Sequence, residues 1–254
     1  MLQSARKLKG FAIAATDGDI GKVTDIYFDD QKWAIRYFVV DTGGWLTGRK
    51  VLISPISIQE VDWERHSVRV ALTRQQIKAS PGIDTEQPVS RQQEAEFYRH
   101  YDYPLYWTGP LLWGFGAFPP LGDLLHRGGA PAEDMGDETD LDHEDSHLRS
   151  SNEVIGYDIR ETNDLIGHVE DFLFDSRDWS IRFMIVNTRQ WWPGKHVMIS
   201  PQLIQEVNWP SRQVVVNVTR EAVENSLEYD PAHPPAEDDS ADLYRRFDKP
   251  PDKT

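Results

Sequence analysis

The groups best able to move protons at neutral pH are eight histidines: His66, His100, His126, His143, His147, His168, His196 and His233. The chain carries an internal repeat at an offset of 146 positions, which sets four of these histidines against basic counterparts. In that register His66 meets Arg212, His100 meets Arg246, His168 meets Lys22 and His196 meets Lys50. A position that takes His, Lys or Arg alike is a solvated basic site, not a general base with a tuned pKa. Ser54 and Ser200 stand in both copies, but each is followed by proline, and no oxyanion loop or histidine sits beside it as a nucleophile elbow requires. They read as strand ends, because proline lacks the ladder donor. Neither the GxxxxGK[ST] nor the GxGxxG phosphate pattern occurs; Gly114-Phe115-Gly116 is a fragment without the flanking strand and helix. Cysteine is absent, which removes disulfides, thiolate metal sites and cysteine nucleophiles together. No catalytic residue, no cofactor and no enzymatic activity are expected.

Metal chemistry has one weak candidate, Asp140, Asp142 and His143 within the acid-rich stretch Glu133–His147. Its spacing lacks the central glycine and bidentate glutamate of a calcium loop, and so dense a charge run reads as a solvated linker. An alternative function follows from it: a sensor of divalent metal or a small molecule, using this linker or a cleft between the copies. Calorimetry with divalent cations separates that alternative from a binding module.

The interaction candidates are aromatic and cationic. Trp45 in one glycine-flanked loop corresponds to Trp191-Trp192 in the other. Tyr103 to Pro120 holds Trp107, Trp113 and Phe115 among Gly and Pro residues that disfavour helix and strand alike. Trp, Tyr and Arg concentrate binding energy at protein interfaces, so these rings either pack within the chain or a homo-oligomer, or anchor another protein. Arg36 and Arg182 occupy the same place in the two copies, alternate with apolar neighbours, and are placed to cross a barrel face onto a carboxylate.

The elements that position these groups are strands. Matching residues include Gly10/Gly156, Gly21/Gly167, Asp25/Asp171, Asp29/Asp175, and Ile53-Ser54-Pro55 with Ile199-Ser200-Pro201. The register persists through Tyr98-Arg99 and Tyr244-Arg245. A period this long marks a duplicated domain rather than a solenoid. In copy one, strands are expected at Phe11–Ala14, Ile20–Phe28, Trp33–Val40, Lys50–Ser54, Ile58–Trp63 and Val68–Leu72, with Trp33 and Trp179 mostly buried. Six short strands at this spacing suggest a small closed barrel or a sandwich. Thr73-Arg74-Gln75-Gln76 and Ser90-Arg91-Gln92-Gln93 read as capping boxes opening short helices. The expected organisation is mainly β: barrel one with a helical arm over 1–104, a linker over 105–150, and barrel two over 151–254, the pair related by a pseudo-two-fold.

Gly21-Lys22-Val23-Thr24-Asp25-Ile26-Tyr27-Phe28-Asp29 and Lys50-Val51-Leu52-Ile53-Ser54-Pro55 resemble the PRC-barrel domain, and Gly167 to Asp175 with His196 to Pro201 shows the same pattern again. The family is named for the cytoplasmic domain of the photosynthetic reaction-centre H subunit and also forms the C-terminal part of a ribosome-maturation factor. The resemblance implies a small β-barrel with partner-binding roles, over about 8–80 and 154–226. The transmembrane helix of the former and the different preceding barrel of the latter have no counterpart in the sequence, so neither specific role is expected to carry over. The tandem form looks more like two-barrel bacterial proteins of unassigned process.

Charge narrows the partner. The formal charge is −15, with residues 1–104 neutral, 105–150 at −7 and 151–254 at −8. Such a field repels phosphates and anionic lipid, so nucleic acid and direct membrane insertion are not expected. The 39% apolar content with abundant aromatic residues argues against wholesale disorder. No apolar run spans a bilayer and none follows the basic start as a signal peptide would, so a cytoplasmic location is expected. The expected role is a non-enzymatic protein-interaction or scaffold module whose partner is a protein, a second copy of the chain included.

Overall fold

A computed structural model describes residues 1–83, 89–120, 147–161, 164–188, 195–218, 222–223 and 228–231. Contacts divide the chain into two units. One contains 7–152 with 178–180; the other contains 1–6, 153–177 and 181–254. The first unit thus gathers the first repeat with residues 105–152, and the second gathers the second repeat with residues 1–6.

The unit containing 7–152 is built on a sheet in the order β5 (Lys50–Ile53), β4 (Ala34–Asp41), β3 (Gly18–Asp29), β2 (Ala12–Ala15), β7 (Ser67–Val70), β6 (Ile58–Asp62). Neighbours are antiparallel except β2 and β7, which run parallel. Strand β3 is the spine. Its 12 residues bend at bulges between Val23 and Asp25 and between Tyr27 and Phe28, so its two halves serve different neighbours. The apolar residues of β3, β4 and β5 are buried, as continuous runs of Val, Ile, Phe and Tyr require. Gly21 is dictated by approach: a Cβ there would lie 1.9 Å from the Asp41 carbonyl oxygen. Gly167 has the same cause, with 2.3 Å to the Asn187 carbonyl oxygen.

The sheet is not closed by hydrogen bonds. Among the described residues no ladder joins β5 to β6. Between them Pro55–Ser57 form a 3-10 turn, capped by Ser54, whose Oγ accepts from the Ile56 N–H at 3.3 Å. Pro55 has no N–H to give, and the turn consumes the residues that would have extended a closing ladder. The expected barrel is therefore a strongly bent open sheet whose outer strands are joined by a tight turn.

Trp33 and Trp179 do not begin strands as expected. Both sit in left-handed turns, at φ 50° and 63°, and the strands start after them. Trp179 is buried, its ring edge-on to Phe38 at 5.3 Å, with its carbonyl accepting from the Ile35 N–H at 2.8 Å. Trp33 is only half-buried and stacks on Phe28. Helices α2 (Arg74–Ala79) and α3 (Arg91–Tyr101) form as the capping boxes predict, with Thr73 and Ser90 each exchanging bonds with the Gln three residues on. A third strand neighbour completes the unit: β8 (Leu148–Ser150) pairs with Tyr27–Asp29 of β3.

The second unit repeats this plan. Its order is β12 (His196–Ile199), β11 (Ile181–Asn187), β10 (Asp164–Asp175), β9 (Asp158–Glu161), β14 (Gln213–Val216), β13 (Ile204–Asn208), with β1 (Leu2–Ser4) added to the end of β10. Leu2, Leu173, Phe183, Ile185, Met198 and Tyr229 form one cluster in its core. Short helices α1 (Ala5–Leu8) and α4 (Ser151–Val154) follow β1 and β8. No described helix is long and apolar enough to cross a membrane.

Candidate interaction site

The end of β3, strand β4, helix α3 and the aromatic segment after it converge on one buried polar cluster in the unit containing 7–152. Arg36 of β4 is wholly buried. Its guanidinium carbon lies 3.8 Å from the centre of the Tyr106 ring and 4.7 Å from that of Trp113. Nη2 donates to Oδ2 of Asp29 at 3.3 Å, while Nε and Nη1 have no hydrogen-bond partner among the described residues. Two ring faces and one carboxylate thus hold a desolvated cation, and each such cation–π contact contributes on the order of 2 kcal/mol. Oδ1 of Asp29 accepts from the backbone N–H groups of Gln31 and Lys32, which shapes the turn into β4.

Helix α3 adds a carboxylate. Glu94 is buried and accepts from the hydroxyls of Tyr37 at 3.1 Å and Tyr106 at 2.8 Å, and from Nη1 of Arg91 at 3.1 Å. Burial pushes its pKa up to about 7, against the pull of Arg91 and the two phenols. Arg91 also lies over Trp107, 4.6 Å from the ring centre.

The segment 103–120 is a strap across this cluster. Lys32 Nζ donates to the carbonyls of Tyr106, Gly109 and Leu111 at 3.4, 3.0 and 2.6 Å. Burial and the neighbouring Arg36 charge lower the Lys32 pKa. Trp113 is buried, its Nε1 donating to the Asp178 carbonyl at 2.8 Å. Beyond the anchors the chain turns tightly: the Leu111 N–H donates to Gly114 and the Trp113 N–H to Gly116, at 2.8 and 2.9 Å. A Cβ on Gly109 would lie 2.3 Å from the Gly114 carbonyl, so glycine is required there. The turn leaves three large apolar side chains in water: Leu111 at 46%, Phe115 at 78% and Phe118 at 57% exposure.

The residues singled out from sequence divide accordingly. Phe115 is exposed, Trp107 is half-buried, and Arg36 and Trp113 are interior. Trp45 is half-buried and held by its own unit: Nε1 donates to the Ile20 carbonyl, and the Arg74 guanidinium lies 4.4 Å from the ring centre. Arg182 does not repeat the role of Arg36. It is partly exposed and stands 3.8 Å from Asp175, whose carboxylate is taken by Arg177 and the Met1 amine. Trp191, Trp192, Asp140, Asp142 and His143 lie outside the described residues. Ser54 and Ser200 cap 3-10 turns. His196, read as a solvated basic site, is hydrogen-bonded to Glu170 at 2.8 Å, and His168 stands 3.0 Å from Asp158. Sequence reasoning missed Lys32, Tyr37, Glu94 and Tyr106. Glu94 carried a usable signal: it is a lone acid on the helical face shared with Phe97, Tyr98 and Tyr101.

Comparison with known proteins now fits the geometry. The family model described as the PRC-barrel domain matches residues 3–77, which span β2 to β7 and most of α2. The first repeat is a PRC-barrel domain. The second repeat reproduces the six strands of the PRC-barrel repeat in the same order, in keeping with a tandem of such domains. An uncharacterized protein of Deinococcus radiodurans is 33% identical over 110 residues; the match covers 37% of this chain and 39% of that protein. The strap residues Tyr103–Pro120 follow the matched PRC-barrel stretch and roof its Arg36.

Proposed function

We propose that this tandem PRC-barrel chain is a non-enzymatic protein-interaction module that presents the strap tip, Leu111, Phe115 and Phe118, to a protein partner. The observation that carries the reading is the contrast within the strap. Its backbone is fixed by Lys32, Trp113 and the Arg36 cluster, yet Leu111, Phe115 and Phe118 project into water. Single exposed apolar residues are ordinary, but three within eight positions of one anchored segment are the kind of feature that marks association sites. A pre-ordered anchor loses little conformational freedom on binding. The −15 charge favours a neutral or basic protein surface over nucleic acid or anionic lipid, and a cytoplasmic setting accords with the absence of cysteine.

The test is paired affinity capture from the native host with the wild-type chain and a Phe115→Ser/Phe118→Ser variant. Proteins retained by the wild type and lost with the folded variant support the reading. Identical retention by both removes the strap tip from the interaction, and turnover in a broad substrate screen, lost on changing Ser54 or Ser200, overturns the non-enzymatic assignment.

A further inference from the structure

Strands β1 and β8 occupy corresponding positions of the two repeats, and each completes the sheet formed by residues of the other repeat. The receiving edges arise in one way. Strand β2 pairs only with Gly18–Lys22 of β3, and β9 only with Asp164–His168 of β10, so the second half of each spine keeps one row of backbone groups open. The incoming strands fill the two rows in identical register. Leu2 opposes Asp175 as Leu148 opposes Asp29, and Ser4 opposes Leu173 as Ser150 opposes Tyr27.

The side-chain contacts coincide too. Ser4 Oγ donates to Oδ2 of Asp171, and Ser150 Oγ to Oδ2 of Asp25, each at 2.5 Å. The backbone N–H two residues on, of Arg6 or Asn152, donates to the Oδ1 of the same aspartate at 3.0 or 3.1 Å. Leu2 and Leu148 are both buried. The Met1 carbonyl accepts from the Ser176 N–H and the His147 carbonyl from the Asp30 N–H. The middle residue is Gln3 in one case and Arg149 in the other.

We propose that each unit is a receptor for a Leu-X-Ser strand, indifferent to which repeat donates it, and that a second copy of this chain docks by inserting its own donor strand into that seat. Backbone pairing supplies affinity, while the leucine site and the serine–aspartate contact supply selectivity, the logic of recognition by strand addition. Each donor adds private contacts, the Met1 amine to Asp175 in one seat, Ser151 Oγ to Asp25 and Arg149 to Asp30 in the other. These add to the shared set without being part of it. Within one chain the tethered strand has the higher effective concentration, so the second copy enters where that strand is displaced. The proposal uses neither Phe115 nor Phe118 and stands apart from the strap.

Complementation between two damaged full-length chains tests it. Ser4→Pro removes the hydroxyl that Asp171 accepts from, puts a proline in the three-residue β1 and empties the seat on β10. Asp171→Ala spoils that seat and leaves a usable β1. In sedimentation velocity each variant alone should be monomeric, and the mixture should contain at least about tenfold more 1:1 dimer, as a bimolecular pairing of free donor with free seat requires. Ser4→Pro mixed with Asp25→Ala, which frees β8, should also dimerise; only indifferent seats predict that. The same result in a Phe115→Ser/Phe118→Ser background separates this site from the strap. Mixtures that stay monomeric while near-ultraviolet circular dichroism shows both chains folded overturn the proposal. Dimerisation of the first pair but not the cross pair overturns the indifference. If Ser4→Pro does not fold alone, it is refolded with excess peptide of residues 1–8 and passed through gel filtration: recovery of folded chain with peptide retained supports the seat, and no recovery refutes it.

Discussion

The Tyr106 hydroxyl donates to Oε2 of Glu94 over 2.8 Å, and both side chains are buried. This bond ties the strap to α3, and Tyr37 extends it to β4. The carboxylate at its centre has a pKa raised to about 7 by burial. A folded-state pKa above the ordinary 4.5 means the folded chain holds the proton more tightly than the unfolded one, so stability grows as pH falls from above 7 toward 4.5 and diminishes on the way up. At 1.36 kcal/mol per pKa unit, the swing for this group is about 3 kcal/mol. Urea denaturation at pH 5 and pH 8 should show the wild type losing stability relative to Glu94→Gln at the higher pH. Parallel pH curves for the two proteins would contradict the assignment.

Asp175 titrates the other way. Bonds from Arg177 and the Met1 amine outweigh its burial and hold its carboxyl below the ordinary range. Its contribution is present above pH 4 and is lost as pH falls further. Asp175→Asn should therefore flatten the acid limb of the stability curve, measured between pH 5 and pH 2, and lower stability by a constant amount above pH 5.

Arg36 and Arg182 stand at equivalent positions and differ in burial. Arg36→Ala leaves Asp29 as an uncompensated buried charge and empties the space between two rings, a loss of about 3–5 kcal/mol. Arg182→Ala removes a partly exposed pair and should cost less than about 1 kcal/mol. Arg36→Met with Asp29→Asn should recover much of the first loss. Denaturant midpoints of the four proteins check the order.

Among glycines, Gly21 and Gly167 are set by space and Gly10 by backbone angle. Alanine at Gly21 or Gly167 drives a methyl into a carbonyl oxygen of the neighbouring strand, at 1.9 or 2.3 Å, and must part β3 from β4 or β10 from β11. Gly10 has φ +89° and open space around it, so its alanine variant meets only the left-handed penalty of about 1–2 kcal/mol. Melting temperatures should fall in that order, with the Gly10 variant closest to wild type.

Lys32 holds the strap by three carbonyls. Lys32→Met should release the segment between Tyr106 and Gly114, and limited proteolysis should then cleave there first. Phe115→Ser/Phe118→Ser should leave the melting temperature unchanged and reduce binding of a hydrophobic dye.

The repeat register carried most of the architecture. Gly21/Gly167, Asp25/Asp171 and the Ser-Pro pairs recur because close approach, strand docking and turn capping need those side chains in both sheets. The capping boxes at Thr73 and Ser90 were legible because their chemistry is local. The strap's position over Arg36 was not, since a segment rich in Gly and Pro has no periodicity to reveal what it covers. Closure was misjudged because hydrophobic alternation reports which face is buried, not whether the outermost strands meet. The added strands β1 and β8 were missed because three residues are too few to show a period, although Leu2/Leu148 and Ser4/Ser150 obey the repeat.

The crossed placement of Leu2–Ser4 imposes an order on synthesis. That segment leaves the ribosome well before its acceptor on β10, Leu173–Asp175, which is about 170 residues downstream. At 5–20 residues per second the wait is roughly 10–30 s, during which the open backbone of β3 also lacks its filler. Anything that shields a nascent sheet edge in that interval, a trigger-factor-type chaperone above all, should matter more to this chain than to a single barrel of the same size.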